Sequence, residues 1–152
     1  MRLITNSGKK NHRALIQKLI LSSEKIIICS GWMKVHGLLK LLPSLKETIK
    51  KNNASITFFT NENHTESEAI ELLREILQIN HILIPKNKKT LHSKIYYFQN
   101  RNQFTAIIGS ANVTVGGLIE SEELSIEIKG TLQSKEHLEI KEYLNTLEVR
   151  YG

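Results

Sequence analysis

Short apolar, β-branched runs alternate with amphipathic helical stretches over the first 85 residues, and this alternation restricts the fold more than any other feature of the chain. Lys25–Cys29 (KIIIC) carries three consecutive isoleucines and suits a strand buried on both faces. Ser55–Thr60 (SITFFT) reads as another strand, His81–Ile84 as a short one ended by Pro85, and Arg2–Thr5 as an opening one. Between them, Lys9–Leu21 places Leu15, Leu19, Ile16 and Ile20 at helical spacing. Leu38, Leu41, Leu42, Leu45 and Ile49 mark a second helix, kinked or restarted at Pro43. Ile70, Leu73, Ile76 and Leu77 mark a third over Ser67–Ile79.

After Pro85 the texture changes to a run of strands, at Leu91–Phe98, Phe104–Ile108 and Leu124–Ile128, with a glycine-bearing turn at Val113–Gly117. Glu136–Leu147 closes the chain as an amphipathic helix with Leu138, Leu144 and Leu147 on its core face. The expected architecture is α/β: a mixed, largely parallel sheet sandwiched by helices, in one domain spanning 1–152. No internal repeat or Pro/Gly/Ser linker divides it.

Charge distribution narrows the partners. Residues 1–118 carry seventeen Lys or Arg against seven Glu, giving +10, while residues 119–152 carry four against eight, giving −4. A basic body points to a polyanion, either nucleic acid or an anionic lipid surface. All fifteen acids are Glu, so chemistry that requires an aspartate is excluded. The lone Cys29 rules out an internal disulfide and reads as an inert core thiol in a reducing, cytoplasmic setting. No apolar run is long enough to cross a bilayer. His12, His36, His64, His81 and His137 lie at no metal-ligand spacing and read as surface or partly buried; no metal or cofactor is expected.

The segment that carries chemistry is His92-Ser93-Lys94, followed by Gly109-Ser110-Ala111-Asn112 and Glu122-Glu123. Residues two apart on a strand project to one side, so His92 and Lys94 present an imidazole beside an ammonium. An extended chain past Ile108 would let Ser110 and Asn112 share a side, and Gly109 would let the backbone approach a ligand. Imidazole, fixed cation, hydroxyl and amide together suit a phosphate diester, with a nearby Glu holding the imidazole in one tautomer.

The stretch LHSKIYYF…AIIGSANVTVGGL…EEL resembles the phospholipase D superfamily, whose signature is H-x-K, then G-[ST]-x-N and a later Glu. The resemblance implies a phospholipase D-like fold. It assigns the nucleophilic or acidic histidine to His92, the phosphate-binding lysine to Lys94 and the phosphate-contacting polar pair to Ser110 and Asn112. Glu123 takes the place of the acid that orients the histidine. Many members carry Asp five residues after the lysine; here the position is Gln99, which makes a lipid-hydrolysing role less apt. The superfamily mechanism uses two copies of the motif, one histidine forming a phosphohistidine and the other protonating the leaving oxygen. A chain with one copy implies a homodimer with a shared, metal-independent site.

The motif also resembles that of the one-motif bacterial endonucleases and of nuclease-like domains attached to helicases or restriction enzymes, and the resemblance implies a specificity or motor domain as a partner. The expected function is a non-specific endonuclease on DNA or RNA, without membrane insertion. The alternatives are an inactive nucleic-acid-binding or dimerisation module and a phospholipid phosphodiesterase. Ser30 and Trp32, Gly109, and Lys88 and Lys89 of a basic loop are candidate substrate contacts. Two readings stay open for Trp32, as core or interface packing or as a base-stacking cleft residue, and two for the basic loop, as a solvated charge run or a phosphate rail.

Overall fold

A computed structural model describes residues 1–152. Seven strands form one sheet in the order β1-β7-β6-β5-β2-β3-β4. They are β1 (Arg2–Thr5), β2 (Lys25–Ser30), β3 (Ser55–Asn61), β4 (Ile79–Ile84), β5 (Lys94–Asn100), β6 (Gln103–Gly109) and β7 (Leu124–Thr131). The helices are α1 (His12–Leu21), α2 (Val35–Asn52), α3 (Ser67–Arg74) and α4 (Lys135–Tyr151).

The sheet is mixed, as expected, but its parallel part is confined to β2, β3 and β4. The other four pairings are antiparallel, which corrects the expectation of a largely parallel sheet. For the β5–β6 pair the physical reason is the short connection between the two strands. Asn100 pairs with Gln103 across a two-residue turn with Arg101 at φ 54, and so short a link can only reverse the chain.

Helices cover both faces. On one, α1, α2 and α3 bury a 20-residue cluster that includes Ile16, Ile20, Leu38, Leu41, Leu45, Phe58 and Leu73. On the other, α4 packs Ile140, Leu144 and Leu147 into a 12-residue cluster with Phe59, Tyr97 and Phe104. Each fully buried aliphatic or aromatic side chain contributes roughly 1.5–3 kcal/mol, so the two layers hold the sheet from both sides. Leu138 is 56% exposed and is not on the core face of α4; Ile140, two residues on, takes that place.

Several boundaries differ from the sequence reading. The second helix runs unbroken through Pro43, which is exposed, and ends at Asn53 in the left-handed conformation (φ 51). The α3 helix stops at Arg74, because Ile76 and Ile79 turn back through hydrogen bonds to Leu73 and Ile76 carbonyls, and Ile79 opens β4. The expected turn at 113–117 is a bridge from Val113 to Met33 followed by one π-helical turn, Gly116–Glu120. His12 and His137 are fully enclosed rather than at the surface, each with both ring nitrogens hydrogen-bonded. Cys29 is buried as expected, and desolvation pushes its thiol up to about 12. No helix is long and apolar enough to cross a membrane.

Candidate active site

One register row across the sheet assembles most of the motif. Ser30 on β2 pairs with Lys94 on β5, Lys94 with Gly109 on β6, and Gly109 with Ser125 on β7. The row lies at the carboxyl ends of β2 and β6, and the segments carrying His92, Ser110–Asn112 and Glu123 all leave the sheet there.

His92 precedes β5 rather than lying within it, since that strand begins at Lys94. The pair still meets: Lys94 Nζ donates to the His92 carbonyl at 2.8 Å and lies 3.2 Å from His92 Nδ1. The imidazole is exposed, whereas Lys94 is 9% exposed. Burial lowers the Lys94 pKa, an effect that nearby Glu123 opposes.

What fixes the segment before His92 is a buried residue that the motif reading missed. The Asn61 amide donates to the Leu91 carbonyl and accepts from the Leu91 N–H, both at 2.9 Å, and so serves as a substitute strand neighbour for it. Gly31 is essential to the same junction, because a Cβ there would run into the Leu91 carbonyl oxygen. A sequence signal did exist: Asn61 ends a buried parallel strand at its carboxyl end, where open α/β sheets place functional groups.

Ser110 and Glu123 meet each other. Ser110 Oγ donates to Glu123 Oε1 at 2.6 Å and accepts from the Leu124 N–H at 3.0 Å. Within one chain Glu123 makes no hydrogen bond to His92, because Ser110 and Glu123 face one another at the ends of the antiparallel pair β6–β7, one strand away. Gly109 is also required by the sheet itself. A Cβ at 109 would strike Ser125 Oγ and the Leu124 carbonyl, so the neighbouring strand demands the glycine.

Asn112 is oriented by its oxygen. Oδ1 faces Ser30 Oγ at 3.2 Å and the Trp32 N–H at 3.4 Å, which leaves the two Nδ2 donors with no protein acceptor. Its loop is held by Tyr96, whose hydroxyl donates to the Ala111 carbonyl at 2.8 Å, and by Ser30 Oγ, which accepts from the Val113 N–H at 2.9 Å. Ser30 is completely buried, so it acts as a pin for this loop and not as the substrate contact expected of it. Trp32 is 43% exposed and stacked on His64, with ring centroids 4.2 Å apart and planes 6° from parallel. That exposure overturns packing inside the core and puts the indole at the site's rim, where its backbone N–H faces Asn112 Oδ1.

Lys89 lines a small cavity of about 130 Å³ together with His92, Tyr143 and Arg150 of α4. Lys88 is exposed, and its backbone only closes a turn with Pro85. No three His, Cys or Glu side chains converge to hold a metal ion.

A mixed sheet flanked by helices, with H-x-K, GSAN and a glutamate gathered at one end, defines a phospholipase D-like nuclease, a class of phosphodiesterase. The match to the model of the NgoFVII restriction endonuclease N-terminal PLD domain extends over residues 10–150, and the chain belongs to that family. The fold is similar to that of NucT from Helicobacter pylori, with a TM-score of 0.74 at 15% identity, covering 99% of this chain and 96% of that one. It is equally similar in kind to Nuc from Salmonella typhimurium, a phospholipase D family member, with a TM-score of 0.71 at 18% identity over 98% and 91% of the two chains. A yeast tyrosyl-DNA phosphodiesterase (H182A mutant) shares the fold at a TM-score of 0.56 and 11% identity, covering 87% of this chain but only 32% of its own. No curated protein matches the chain in sequence.

Proposed function

We propose that this chain is a metal-independent endonuclease domain that cleaves nucleic acid through a phosphohistidine at a site shared by two copies. The observation that carries the reading is an exposed imidazole held against a buried ammonium, with Lys94 Nζ 3.2 Å from His92 Nδ1. Nζ is also 3.5 Å from Nε2, so in the free chain the ammonium lies against the ring, between its two nitrogens. A phosphate oxygen arriving at Lys94 competes for that donor and frees the ring for attack.

In the proposed reaction one His92 nitrogen attacks phosphorus and the bond to the leaving oxygen breaks, while the second copy's imidazole donates the proton that oxygen takes. Water, losing its proton to that second imidazole, then cleaves the P–N bond and restores both rings. Lys94 and the free Nδ2 donors of Asn112 stabilise the charge on the non-bridging oxygens. Only Lys94 bonds the His92 ring within the chain, and the proton transfer needs a second imidazole, which supports the homodimer. Ser110 and Glu123 form the polar wall of the site, and Trp32 offers its exposed indole to an unstacked base. Lys89, with Lys88 beyond it, extends the positive surface toward the substrate backbone. The surface reads no base edges by itself, so cutting is non-specific and salt-sensitive. We place the protein in the cytoplasm.

The test is digestion of plasmid and single-stranded DNA in EDTA by wild type and His92→Ala. Wild type cuts both; the variant loses roughly a thousandfold in rate yet binds DNA. Equal cutting by the two proteins, or strict dependence on a divalent ion, overturns the mechanism. Binding without cutting by wild type identifies a non-catalytic module instead. Co-refolding wild type with an equal amount of His92→Ala should halve the activity per wild-type chain, because mixed dimers lack one imidazole. Unchanged activity per wild-type chain rejects the shared site.

A further inference from the structure

The first 23 residues hold five basic side chains and no acid. Folding concentrates them. A groove of about 560 Å³ between the edge strand β1 and α1 is lined by Arg2, Lys9, Lys10 and Lys18, with no carboxylate among its lining residues. Arg2 is shared with Glu127 at 3.2 Å, whereas Lys9, Lys10 and Lys18 have no acidic partner within ion-pair distance. The surface between α2 and α3 has the reverse character. There a groove of about 470 Å³ beside α3 is lined by Glu68, Glu71 and Glu75 and by no cation.

One end of the basic groove adjoins the strand end that carries the candidate site. Thr5, in its wall, pairs with Leu124, the residue after Glu123. The next residue, Asn6, donates to the carbonyls of Gly117 and Ser121 at 2.9 and 3.0 Å, which ties the start of the basic loop to the segment leading into Glu123. From Thr5 to Arg2 the strand runs about 10 Å away from the site. A polyanion is held by the basic groove and repelled by the acidic one.

We infer that the β1–α1 groove is a phosphate track that holds the sugar–phosphate backbone of the nucleic acid whose scissile phosphate lies at His92 and Lys94. This inference rests on the nuclease reading. Three unpaired lysines give it a definite electrostatic size: replacing them should lower the slope of log affinity against log salt by about 2 to 3.

The experiment uses the full chain with Lys9→Ala, Lys10→Ala and Lys18→Ala combined. A control with the same charge loss combines Lys46→Ala, Lys50→Ala and Lys51→Ala on the exposed side of α2. Binding of a 30-nucleotide DNA is measured against salt in a His92→Ala background, and hydrolysis of bis(p-nitrophenyl) phosphate and of long DNA in the active background. The groove variant should lose the stated slope and raise KM for long DNA tenfold or more, with hydrolysis of the small diester unchanged. An unchanged slope and KM overturn the track. An equal slope loss in the control also overturns it, since diffuse charge would then suffice, as does equal loss of small-diester hydrolysis. Reduced binding to phosphatidylserine vesicles with DNA binding intact would assign the groove to lipid and reject it. Failure of wild type to cut either substrate refutes the nuclease reading separately, because the salt slope is read without cleavage.

Discussion

His12 and His92 sit at the same end of one sheet and have opposite surroundings. The His12 ring is completely enclosed, with Nδ1 2.7 Å from Asn6 Oδ1 and Nε2 2.8 Å from Ser125 Oγ. Burial lowers its pKa, with Glu123 acting the other way. His92 is exposed, and the only side chain bonding its ring is the Lys94 ammonium. Ser125 pairs with Gly109 and Gly109 with Lys94, so both imidazoles are supported by the same register row. An imidazole whose two nitrogens are satisfied by neutral partners in the interior has nothing left to offer a substrate, and it serves the fold. One held at the surface against a cation keeps its reactive capacity.

The strongest way to break this contrast is to delete each ring. His92→Ala should abolish cutting, by roughly a thousandfold, and leave stability within about 0.5 kcal/mol, because an exposed side chain is removed. His12→Ala should do the reverse. It opens a cavity and strands Asn6 and Ser125, at a cost of about 2–4 kcal/mol, while the surviving folded fraction keeps most of its turnover. Chemical unfolding midpoints alongside rates per active site separate the two. Turnover lost equally in both would abolish the distinction.

Lys94 sharpens it, since this cation is both buried and placed to act. Lys94→Met should lower the rate about a hundredfold or more through loss of a phosphate contact. It should also raise stability at neutral pH, because a desolvated charge gives way to a hydrocarbon of similar length. In wild type the lowered pKa makes the alkaline limb of the rate profile fall below the usual lysine range. Midpoints and pH–rate profiles measure both effects, and a destabilised Lys94→Met would place the ammonium among structural groups.

The other interior rings set the acid limit of the fold. His81 Nε2 lies 2.8 Å from Thr60 Oγ1, and burial, aided by Arg74, takes its pKa from an ordinary 6.5 down to about 4. Below pH 6.5 the unfolded chain binds a proton that the folded chain refuses until about pH 4. Stability is therefore lost as pH falls through that window, by about 2–3 kcal/mol from this residue, and His12 acts in the same direction. Urea midpoints between pH 7 and 4 should show the decline. His81→Gln should flatten it, and an unaltered profile would assign the acid sensitivity elsewhere.

The sequence revealed the chemistry of the site better than its support. His92, Lys94, Ser110, Asn112 and Glu123 stand out because their types and spacing form one pattern, and the structure brings all five to one sheet end. The isoleucines of β2 and the leucine spacing of α1 and α2 made the alternation readable in the same way. Proportions of parallel and antiparallel pairing did not, because β2–β5 and β1–β7 pair strands far apart in the chain, and only the β5–β6 reversal follows from a local turn. Supporting residues were hidden for a related reason. Ser30, Asn61, Tyr96 and His12 are ordinary polar residues, each with a partner 15 to 113 positions away, and only the assembled sheet shows what they hold.

Asn61 gives the finest test of the contrast, because it belongs to the interior and acts on the exterior. Its amide makes both hydrogen bonds to Leu91, and His92 is the next residue, so it is a positioning residue rather than a catalytic one. Asn61→Asp keeps the shape and loses the donor to the Leu91 carbonyl. The new carboxylate would face that carbonyl oxygen across about the same distance, and repulsion should shift the segment carrying His92. Turnover should fall about tenfold with KM for DNA little changed, since misplacing a reacting group costs rate more than binding. Asn61→Ala should cost more stability, through two unpaired backbone groups, with a similar loss of turnover. A purely structural Asn61 would lower both midpoints and leave turnover per folded molecule at the wild-type value; measuring kcat well below each variant's unfolding transition decides between the two.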